Sequence, residues 1–428
     1  MDERAVVTCF LRNDGEILLC RRSDAVGSYQ GRWGGVAGHV RDDSGEWRDP
    51  EAAARAEIAE ETGLADAVTV VRSGEPFRVD DDGRRWLVHP FLFDCDSRAV
   101  EPNEETADWE WCHPPEILRR ETVPRLWTSY DRVRPRVTTL ADRTHGSAWL
   151  SVRALETLRD EAALAVEGRA DGRETGERAG DDWAALADLA RRLRGARPSM
   201  AVLENRLNRV MTAATDERTP AAVERAASGA IDQSVDADRE AARLAAESLP
   251  DRVATLSRSG TVDAAVRASD PEAVLVAASR PGGEGVGVAE SLADATAVTL
   301  TSDAALAFEL REWDAGAVVV GADRVLPDGR VVNKVGTRGA ALAAAAAGID
   351  CVVVAASDKV APTGDYDLEP RDPAELYDGD AELVVANPTF DVTPADAVTA
   401  VVTEQGTLST AEVAAVARAH REWAAWDE

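Results

Sequence analysis

Lysine is nearly absent from this chain of 428 residues, in which Lys334 and Lys359 are the only two, although arginine is common. Cysteine is also scarce, and the five cysteines show neither a CxxC pair nor a metal-ligand spacing. We therefore expect reduced, mostly buried thiols of a cytoplasmic protein. The beginning of the chain lacks a basic and then apolar signal, and no apolar run is long enough for a bilayer, so no membrane contact is expected.

Positive charge is in short supply overall. The formal net charge is −30 at pH 7, with acids spread along the whole chain rather than gathered in a tail. This excess argues against direct binding of nucleic acid or an anionic membrane, since both repel a polyanion. A hydrophobic content of 45% argues against a disordered acidic chain. The pattern is typical of a soluble protein from a high-salt cytoplasm, as in haloarchaea.

The stretch from Gly316 to Leu342 contains the densest group of functional residue types. An apolar run at 317–320 predicts a buried strand, and Asp323 follows its carboxyl end. Asn333 and Lys334 come next, before an alanine-rich helix that begins near Gly336. An acid, an amide, a lysine and a helix N-terminus in one place predict a site for an oxygen-rich anion.

Strands alternate with helices after Pro250, which predicts a doubly wound parallel sheet. Polar residues lie just past several strand ends, where such sheets bind ligands: Ser257, Ser259, Arg280, Asp323 and Lys359. Arg280 precedes Pro281-Gly282-Gly283 and a helix, so its guanidinium and the helix amides could hold one phosphate. A surface position for Lys359 is an equally good interpretation.

The segments GADRV, NKVGT, NPTFDVTPADAV and TEQG occur in this order in the last two thirds of the chain. In order and spacing they resemble the alpha/beta/delta family of initiation factor 2B, which includes ribose-1,5-bisphosphate and methylthioribose-1-phosphate isomerases. The resemblance implies a homodimer and a role for Asp323 in proton transfer. It implies that Arg197, in ARPSMA, approaches a sugar phosphate, and an arginine that caps a helix end is an equally good interpretation. The cysteine of the family corresponds to Ser257, a much weaker acid, which argues against isomerase activity.

A helix is predicted from Pro50 to Thr62, with Asp49 as its N-cap and Gly63 after its end. Glu57, Glu60 and Glu61 lie at i, i+3 and i+4, so the three carboxylates share one face. A divalent cation such as Mg²⁺ would neutralise them. A solvated acidic face is the alternative.

The segment AEIAEETGL, which follows GHV and GE, resembles the Nudix box of Mg²⁺-dependent pyrophosphohydrolases. The resemblance implies that Glu57, Glu60 and Glu61 bind Mg²⁺ or Mn²⁺ and act in catalysis, with Glu46 as the earlier acid of the box. Two features depart from the pattern: the loop around Glu46 is longer, and Ala56 replaces the usual arginine. Arg55 is rotated by about 100° from that position.

These patterns together predict an α/β protein: a Nudix α/β/α sandwich at 1–140, a helical part at 145–250 and a Rossmann-like doubly wound sheet at 251–428. The expected function is Mg²⁺-dependent hydrolysis of a nucleoside diphosphate derivative. The C-terminal part, a homodimer, is expected to bind a phosphorylated sugar or nucleotide through Arg197, Ser257, Ser259, Arg280, Asn333 and Lys334. Two alternatives remain: an aldose–ketose isomerase that uses Asp323, and a non-catalytic metabolite sensor or translation regulator.

Overall fold

A computed structural model describes residues 3–41, 46–81, 83–168 and 182–427. The chain divides into two compact units, one of residues 1–136 with 159–180 and one of residues 137–158 with 181–428. The polar, glycine-rich loop expected at 169–180 lies outside the described residues. The two units are described separately.

The described residues of the first unit form one seven-stranded mixed sheet. Its strands are β1 (Glu3–Asn13), β2 (Glu16–Arg22), β3 (Trp33–Gly34), β4 (Val68–Ser73), β5 (Phe77–Asp81), β6 (Arg84–Cys95) and β7 (Thr106–Cys112). The order is β3-β2-β1-β6-β4, with β5 on β6 and β7 on β2. The long strands β1 and β6 pair in parallel at the centre, while the other pairs are antiparallel.

Helices cover both faces of this sheet: α1 (Pro50–Thr62) on one face, and α2 (Glu116–Arg119) with α3 (Leu126–Asp131) on the other. The alternation of β1 explains the arrangement, because neighbouring side chains of a strand point to opposite faces. Cys9 packs in the cluster that includes Ile58 of α1, whereas Phe10 packs with Ile117 and Tyr130. The expected α/β/α sandwich is confirmed.

Helix α1 begins and ends at the residues that its sequence predicts. The Asp49 side chain accepts a hydrogen bond from the Ala52 N–H at 3.0 Å, and Pro50 is the first helical residue. Gly63 ends the helix in the left-handed conformation, which glycine adopts without strain.

The division between the units runs through α4 (Ser147–Val166). The later part of this helix belongs to the first unit because polar contacts tie it there. Arg159 donates to the Gly15 carbonyl at 2.8 Å, and Tyr130 donates to Asp160 at 3.2 Å. Arg134 forms an ion pair with Glu161 at 2.6 Å. The compact units therefore divide within α4, and the domain boundaries expected at 140 and 145 stay a prediction.

The helical part of the second unit continues with α5 (Asp182–Gly195), α6 (Ala201–Ala214) and α7 (Pro220–Ala246). Ten strands follow: β8 (Arg252–Leu256), β9 (Ala273–Ala277), β10 (Ala297–Thr301), β11 (Ala317–Val320), β12 (Arg324–Val325), β13 (Val331–Lys334), β14 (Asp350–Val354), β15 (Phe390–Thr393), β16 (Ala400–Thr403) and β17 (Gly406–Leu408). The interspersed helices are α8 (Gly260–Ser269), α9 (Glu284–Leu292), α10 (Leu306–Glu312), α11 (Thr337–Ala347) and α12 (Thr410–Trp423). These counts refer to the described part of the unit.

The main sheet of this unit has the order β10-β9-β8-β11-β14-β16-β17, and only its last pair is antiparallel among the described strands. Val253 and Val319 pack on the side of α7 and α8, while Leu256 and Val320 pack on the side of α10 and α11. The expected doubly wound sheet is confirmed. Strands β12, β13 and β15 form a small antiparallel sheet beside it.

The strand order reverses between β8 and β11, because the chain first adds β9 and β10 on one side of β8 and then adds β11 on the other. A crevice at the carboxyl ends of such strands is the usual ligand site of the fold.

All five cysteines are buried free thiols. Within the described residues, no helix combines the length and the apolar character that crossing a bilayer requires.

Candidate functional site

The acidic face of α1 borders a cleft of about 880 Å³ in the first unit. Glu57 and Glu60 line this cleft. Glu61 lies deeper, with 6% of its surface exposed, and accepts a hydrogen bond from the Ala37 N–H at 3.4 Å. The helical spacing thus sends the three carboxylates to one side at three different depths.

The Glu57 carboxylate packs directly against the backbone at Gly38, which has no side chain. A Cβ atom at position 38 would overlap the carboxyl carbon and both carboxyl oxygens of Glu57. The space left by the absent side chain therefore forms a cradle for this carboxylate. Any larger residue at position 38 of the Nudix-like segment would displace Glu57.

Negative charge accumulates around these glutamates. Burial raises the pKa of Glu61 to about 8, the Ala37 N–H lowers it, and the charges of Glu57 and Glu105 raise it. Burial also raises the pKa of Glu57, as do Glu60 and Glu105. A site with this excess of carboxylate oxygens fits a hard divalent cation, which favours the charged carboxylates. Glu105 precedes β7, and no sequence pattern pointed to it.

The three-carboxylate ligand set nevertheless stays a prediction. Across residues 3–41, 46–81, 83–168 and 182–427, no three His, Cys, Asp or Glu side chains lie together in an arrangement that could bind a metal. Glu46 is exposed. Arg55 pairs with Glu51 at 3.1 Å and lies over the ring of Phe93, so it does not replace the arginine missing at Ala56.

The rest of this cleft is basic and aromatic. Arg22, Arg48 and Arg84 line it. Tyr29 and Trp86 also line it, with ring centroids 6.5 Å apart. Guanidinium groups bind phosphate oxygens, and aromatic faces stack on nucleobases or sugars. The arrangement suits a phosphorylated ligand that carries a ring.

A second cleft, of about 130 Å³, lies at the switch point of the second unit. Its lining brings together most of the residues predicted from the strand ends and motifs: Arg197, Ser257, Ser259, Asp323, Asn333, Lys334 and Lys359. Arg280 is not among the lining residues. It is exposed, and its guanidinium lies beside Gly283 at the start of α9.

Asp323 and Lys359 influence each other electrostatically in this cleft. Burial raises the pKa of Asp323, while the charge of Lys359 and a hydrogen bond from Ser147 lower it. Burial lowers the pKa of Lys359, and the charges of Asp323 and Asp238 raise it. Lys359 is 4% exposed, so the surface interpretation of this lysine is wrong. An acid and a base with shifted pKa values are a pair suited to proton transfer.

Two predicted phosphate-binding cations already have carboxylate partners. Lys334 Nζ lies 2.7 Å from Glu284 Oε1 and donates to the Pro281 carbonyl at 3.3 Å. Arg197 pairs with Glu369 at 3.1 Å. Both carboxylates also line the cleft. An incoming phosphate would compete with these carboxylates for the two cations. The sequence patterns did not reveal either pairing.

The N-terminus of α11 holds a carboxylate of the chain itself. Asp391 accepts hydrogen bonds from the Gly336 N–H at 2.8 Å and the Arg338 N–H at 3.1 Å. Two amides at this helix start, those of Gly336 and Arg338, are therefore already hydrogen-bonded, and a contribution of the helix start to the anion site stays a prediction. Asn333 donates to Thr337 Oγ1 at 3.0 Å and fixes the turn before the helix.

The two serines that follow β8 shape the floor of the cleft. Ser257 has φ 62°, and its amide donates to Ser279 Oγ at 2.6 Å. Ser259 is the N-cap of α8, and it approaches Gly321 so closely that a Cβ atom there would lie 2.8 Å from its Oγ. Gly321 thus lets β8 and β11 come together at the site.

The TEQG segment forms hydrogen bonds to the turn that carries Lys359. Glu404 accepts a hydrogen bond from the Ser357 N–H at 2.8 Å and another from the Ser357 hydroxyl, while Gln405 donates to Ser357 Oγ at 2.9 Å. The neighbouring Asp358 pairs with Arg206 at 2.9 Å and with Arg209 at 2.8 Å. This segment therefore holds a cleft wall in place.

Comparison with known proteins identifies a family for each part of the chain. The sequence profile of the initiation factor 2 subunit family matches residues 143–410, which is more than half of the chain. The chain belongs to this family. The profile of the NUDIX domain matches residues 1–136, so this family member carries a Nudix domain before its family region.

Curated relatives include isomerases. The chain is 34% identical over 298 residues to the ribose 1,5-bisphosphate isomerase of Haloferax volcanii, covering 64% of this chain and 90% of the relative. It is 33% identical over 258 residues to the methylthioribose-1-phosphate isomerase of Alkalilimnicola ehrlichii, covering 53% and 74%.

Solved structures agree in fold. The Pyrococcus horikoshii translation initiation factor eIF-2B matches with a TM-score of 0.54 and 27% identity over 64% of this chain and 94% of its own. The methylthioribose 1-phosphate isomerase of the same organism matches with a TM-score of 0.52 and 21% identity, over 67% and 88%, and supports the fold alone.

Proposed function

We propose that the first unit is a Mg²⁺- or Mn²⁺-dependent hydrolase of a nucleoside diphosphate derivative. The second unit would bind a phosphorylated sugar or nucleotide. The observation that carries the first proposal is the Glu57 carboxylate in its Gly38 cradle, beside the deeper Glu61, in a cleft lined by arginines. The buried free thiols support a reducing compartment, the cytoplasm, as the place of action.

Glu57, Glu60 and Glu61 would hold the cation in this proposal. When bound, the metal would neutralise charge on the diphosphate and lower the pKa of an attacking water. Arg22, Arg48 and Arg84, which line the same cleft, would bind the phosphate oxygens. Tyr29 and Trp86 would stack on the base or sugar. Glu105 would accept a proton from the water, since it reaches the same cleft from outside α1.

The test replaces single side chains around the carboxylates. Glu60→Gln keeps the shape of the side chain but removes its charge, so phosphate release from the best substrate should be abolished and Mg²⁺-dependent thermal stabilisation lost. Gly38→Ala should impair hydrolysis while the protein stays folded, because the new methyl group displaces only the flexible end of Glu57. Glu51→Gln, on the same helix but paired with Arg55, is the matched control.

Full activity of Glu60→Gln or of Gly38→Ala would refute the assignment. A Glu51→Gln variant that is as inactive as Glu60→Gln would show instead that any charge change on α1 disrupts the unit.

A second candidate function is aldose–ketose isomerisation in the second unit. Two observations favour it: Asp323 and Lys359 share a buried cleft at the switch point, and a relative that matches over 90% of its own length is named a ribose 1,5-bisphosphate isomerase. NMR of ribose 1,5-bisphosphate with the parent protein in D₂O tests it, and conversion to the ketose is the expected result. Calorimetric binding without conversion would favour the non-catalytic sensor.

We further propose that the second unit forms a homodimer. Large apolar side chains are exposed in the segment before β15, among them Leu376, Leu383 and Val384. Exposed apolar surface of this kind is typical of protein–protein contacts. Light scattering that gives the mass of one chain at high salt would contradict the dimer.

A further inference from the structure

Lys359 is a buried amine without a direct partner among the residues that the structure describes. It lies directly after Asp358 in the turn that follows β14, and 4% of its surface is exposed. Within the described residues, the carboxylates of Asp323 and Asp238 act on Lys359 through their charge and not through a hydrogen bond. Burying an unpaired ammonium is costly, so such a group is retained where it does chemistry.

The surroundings keep Lys359 from turning away to solvent. Ser357, two residues before it, is held by Glu404 and Gln405. Asp358 is fixed by Arg206 and Arg209, and the Arg206 guanidinium also pairs with Asp238 at 3.1 Å. This network fixes the backbone on the amino side of Lys359, so its side chain stays in the cleft wall.

The cleft that Lys359 lines also contains Asp323 and Ser257. Asp323 is half-buried and follows β11, while Ser257 follows the adjacent β8. A serine hydroxyl is too weak an acid to exchange protons rapidly near neutral pH, whereas an amine can hold or release one. Among the charged groups lining this cleft, Lys359 exerts the largest charge effect on Asp323, ahead of Arg197 and Glu369, which makes it the partner best placed for proton transfer.

We propose that Lys359 is the proton carrier that acts with Asp323 in an aldose–ketose isomerisation, in the role for which Ser257 is unsuited. The inference rests on the second candidate function and extends it by naming the missing residue. With a ribose 1-phosphate ester, the ring bond between C1 and O4 breaks, and the Lys359 ammonium donates a proton to O4.

Asp323 and Lys359 then carry out the remaining proton transfers. The Asp323 carboxylate removes the proton from C2, which leaves an enol between C1 and C2. Protonated Asp323 returns a proton to C1, and the neutral Lys359 amine takes the proton of the O2 hydroxyl as the C2 carbonyl forms. Lys359 ends as an ammonium and Asp323 as a carboxylate, so both groups are ready for the next turnover.

The experiment compares the parent protein with Lys359→Met and Lys359→Arg, using ribose 1,5-bisphosphate as the probe. Methionine fills a similar volume without charge, and arginine keeps the charge but does not release its proton. We expect turnover to fall by about 100-fold or more in both variants, the scale of acid–base catalysis. Binding measured by calorimetry should persist in Lys359→Arg. Arg418→Met, at an exposed position on α12, controls for the loss of one cation.

A rescue experiment separates proton transfer from a structural role. Small alkylamines added to Lys359→Ala should restore part of the turnover, and the restored rate should rise with amine concentration to a plateau. Lys359→Met is expected to fold, because replacing a buried charge by an apolar side chain is often neutral or stabilising. Its thermal unfolding midpoint checks this.

The outcomes are distinct. A parent protein that binds the bisphosphate without converting it refutes the isomerase function and the inference together. A parent that converts it, with Lys359→Met or Lys359→Arg equally active, refutes the inference alone. A folded but slow Lys359→Met, together with amine rescue, supports both.

Discussion

At the scale of single residues, two cations of the second cleft are paired with carboxylates. Lys334 has Glu284, and Arg197 has Glu369. Glu284 uses one oxygen for Lys334, while its Oε2 is buried and has no hydrogen-bond partner in the described part of the chain. A bound phosphate could satisfy Lys334 only in competition with this carboxylate, so the affinity for anions depends on residues that the motifs do not contain.

Glu284→Gln should therefore raise the affinity for sugar phosphates. The change keeps the side-chain size and removes the charge that competes for Lys334. Charge-assisted hydrogen bonds contribute roughly 1.5–3 kcal/mol, which corresponds to about a tenfold to hundredfold tighter Kd. Calorimetry with ribose 5-phosphate measures the change, and Glu312→Gln, at an exposed position, is the control. Weaker binding by Glu284→Gln would mean that Glu284 orients Lys334 for the ligand.

At the scale of elements, α12 couples a titratable group to the wall that carries Lys359. His420 is 2% exposed, and its Nδ1 lies 2.7 Å from the Val360 carbonyl. Its ring packs on Trp423 with centroids 4.6 Å apart. Burial lowers the pKa of His420 below its usual value near 6.5, although the Val360 carbonyl and Asp358 raise it.

The sign of the pH effect follows from this lowered pKa. As the pH falls, His420 takes up a proton near pH 6.5 in the unfolded chain but only at a lower pH in the folded protein. The contribution of His420 to the free energy of unfolding is therefore complete above pH 6.5 and decreases as the pH falls below it. His420→Gln keeps a hydrogen-bond donor for Val360 but does not titrate. Unfolding midpoints at pH 8 and pH 5.5 should therefore differ more in the parent than in this variant. Equal differences would contradict the prediction.

At the scale of the whole molecule, the net charge of −30 dominates behaviour in solution. Like charges repel more in the compact state than in the unfolded chain, and salt screens this repulsion within a Debye length of about 10 Å at 0.1 M and 3 Å at 1 M. A high-salt environment would thus stabilise the fold.

The unfolding midpoint should accordingly rise as potassium chloride increases from 0.1 M to 1 M. Screening depends on ionic strength rather than on the anion, so potassium thiocyanate below a few tenths molar should give a similar initial rise. A flat midpoint in both salts would show that the acidic surface does not limit stability.

Local sequence determined much of this protein. The caps and the i, i+3, i+4 spacing of α1 place three carboxylates on one face, because both depend on residues a few positions apart. The apolar runs of β8, β11 and β14 predicted the parallel sheet, since strands buried on both faces need continuous apolar sequence. The strand ends then located Ser257, Asp323 and Lys359 at one edge of that sheet.

Only the tertiary structure decided which charges are free to act. Glu284 meets Lys334 from 50 positions away, and Glu369 meets Arg197 from 172. Asp391 accepts a hydrogen bond from the Arg338 amide at the start of α11 from 53 positions away. Pairings across such distances have no local pattern, because they depend on how the sheet order brings loops together. The burial of Lys359 is decided in the same way, by the elements folded around it.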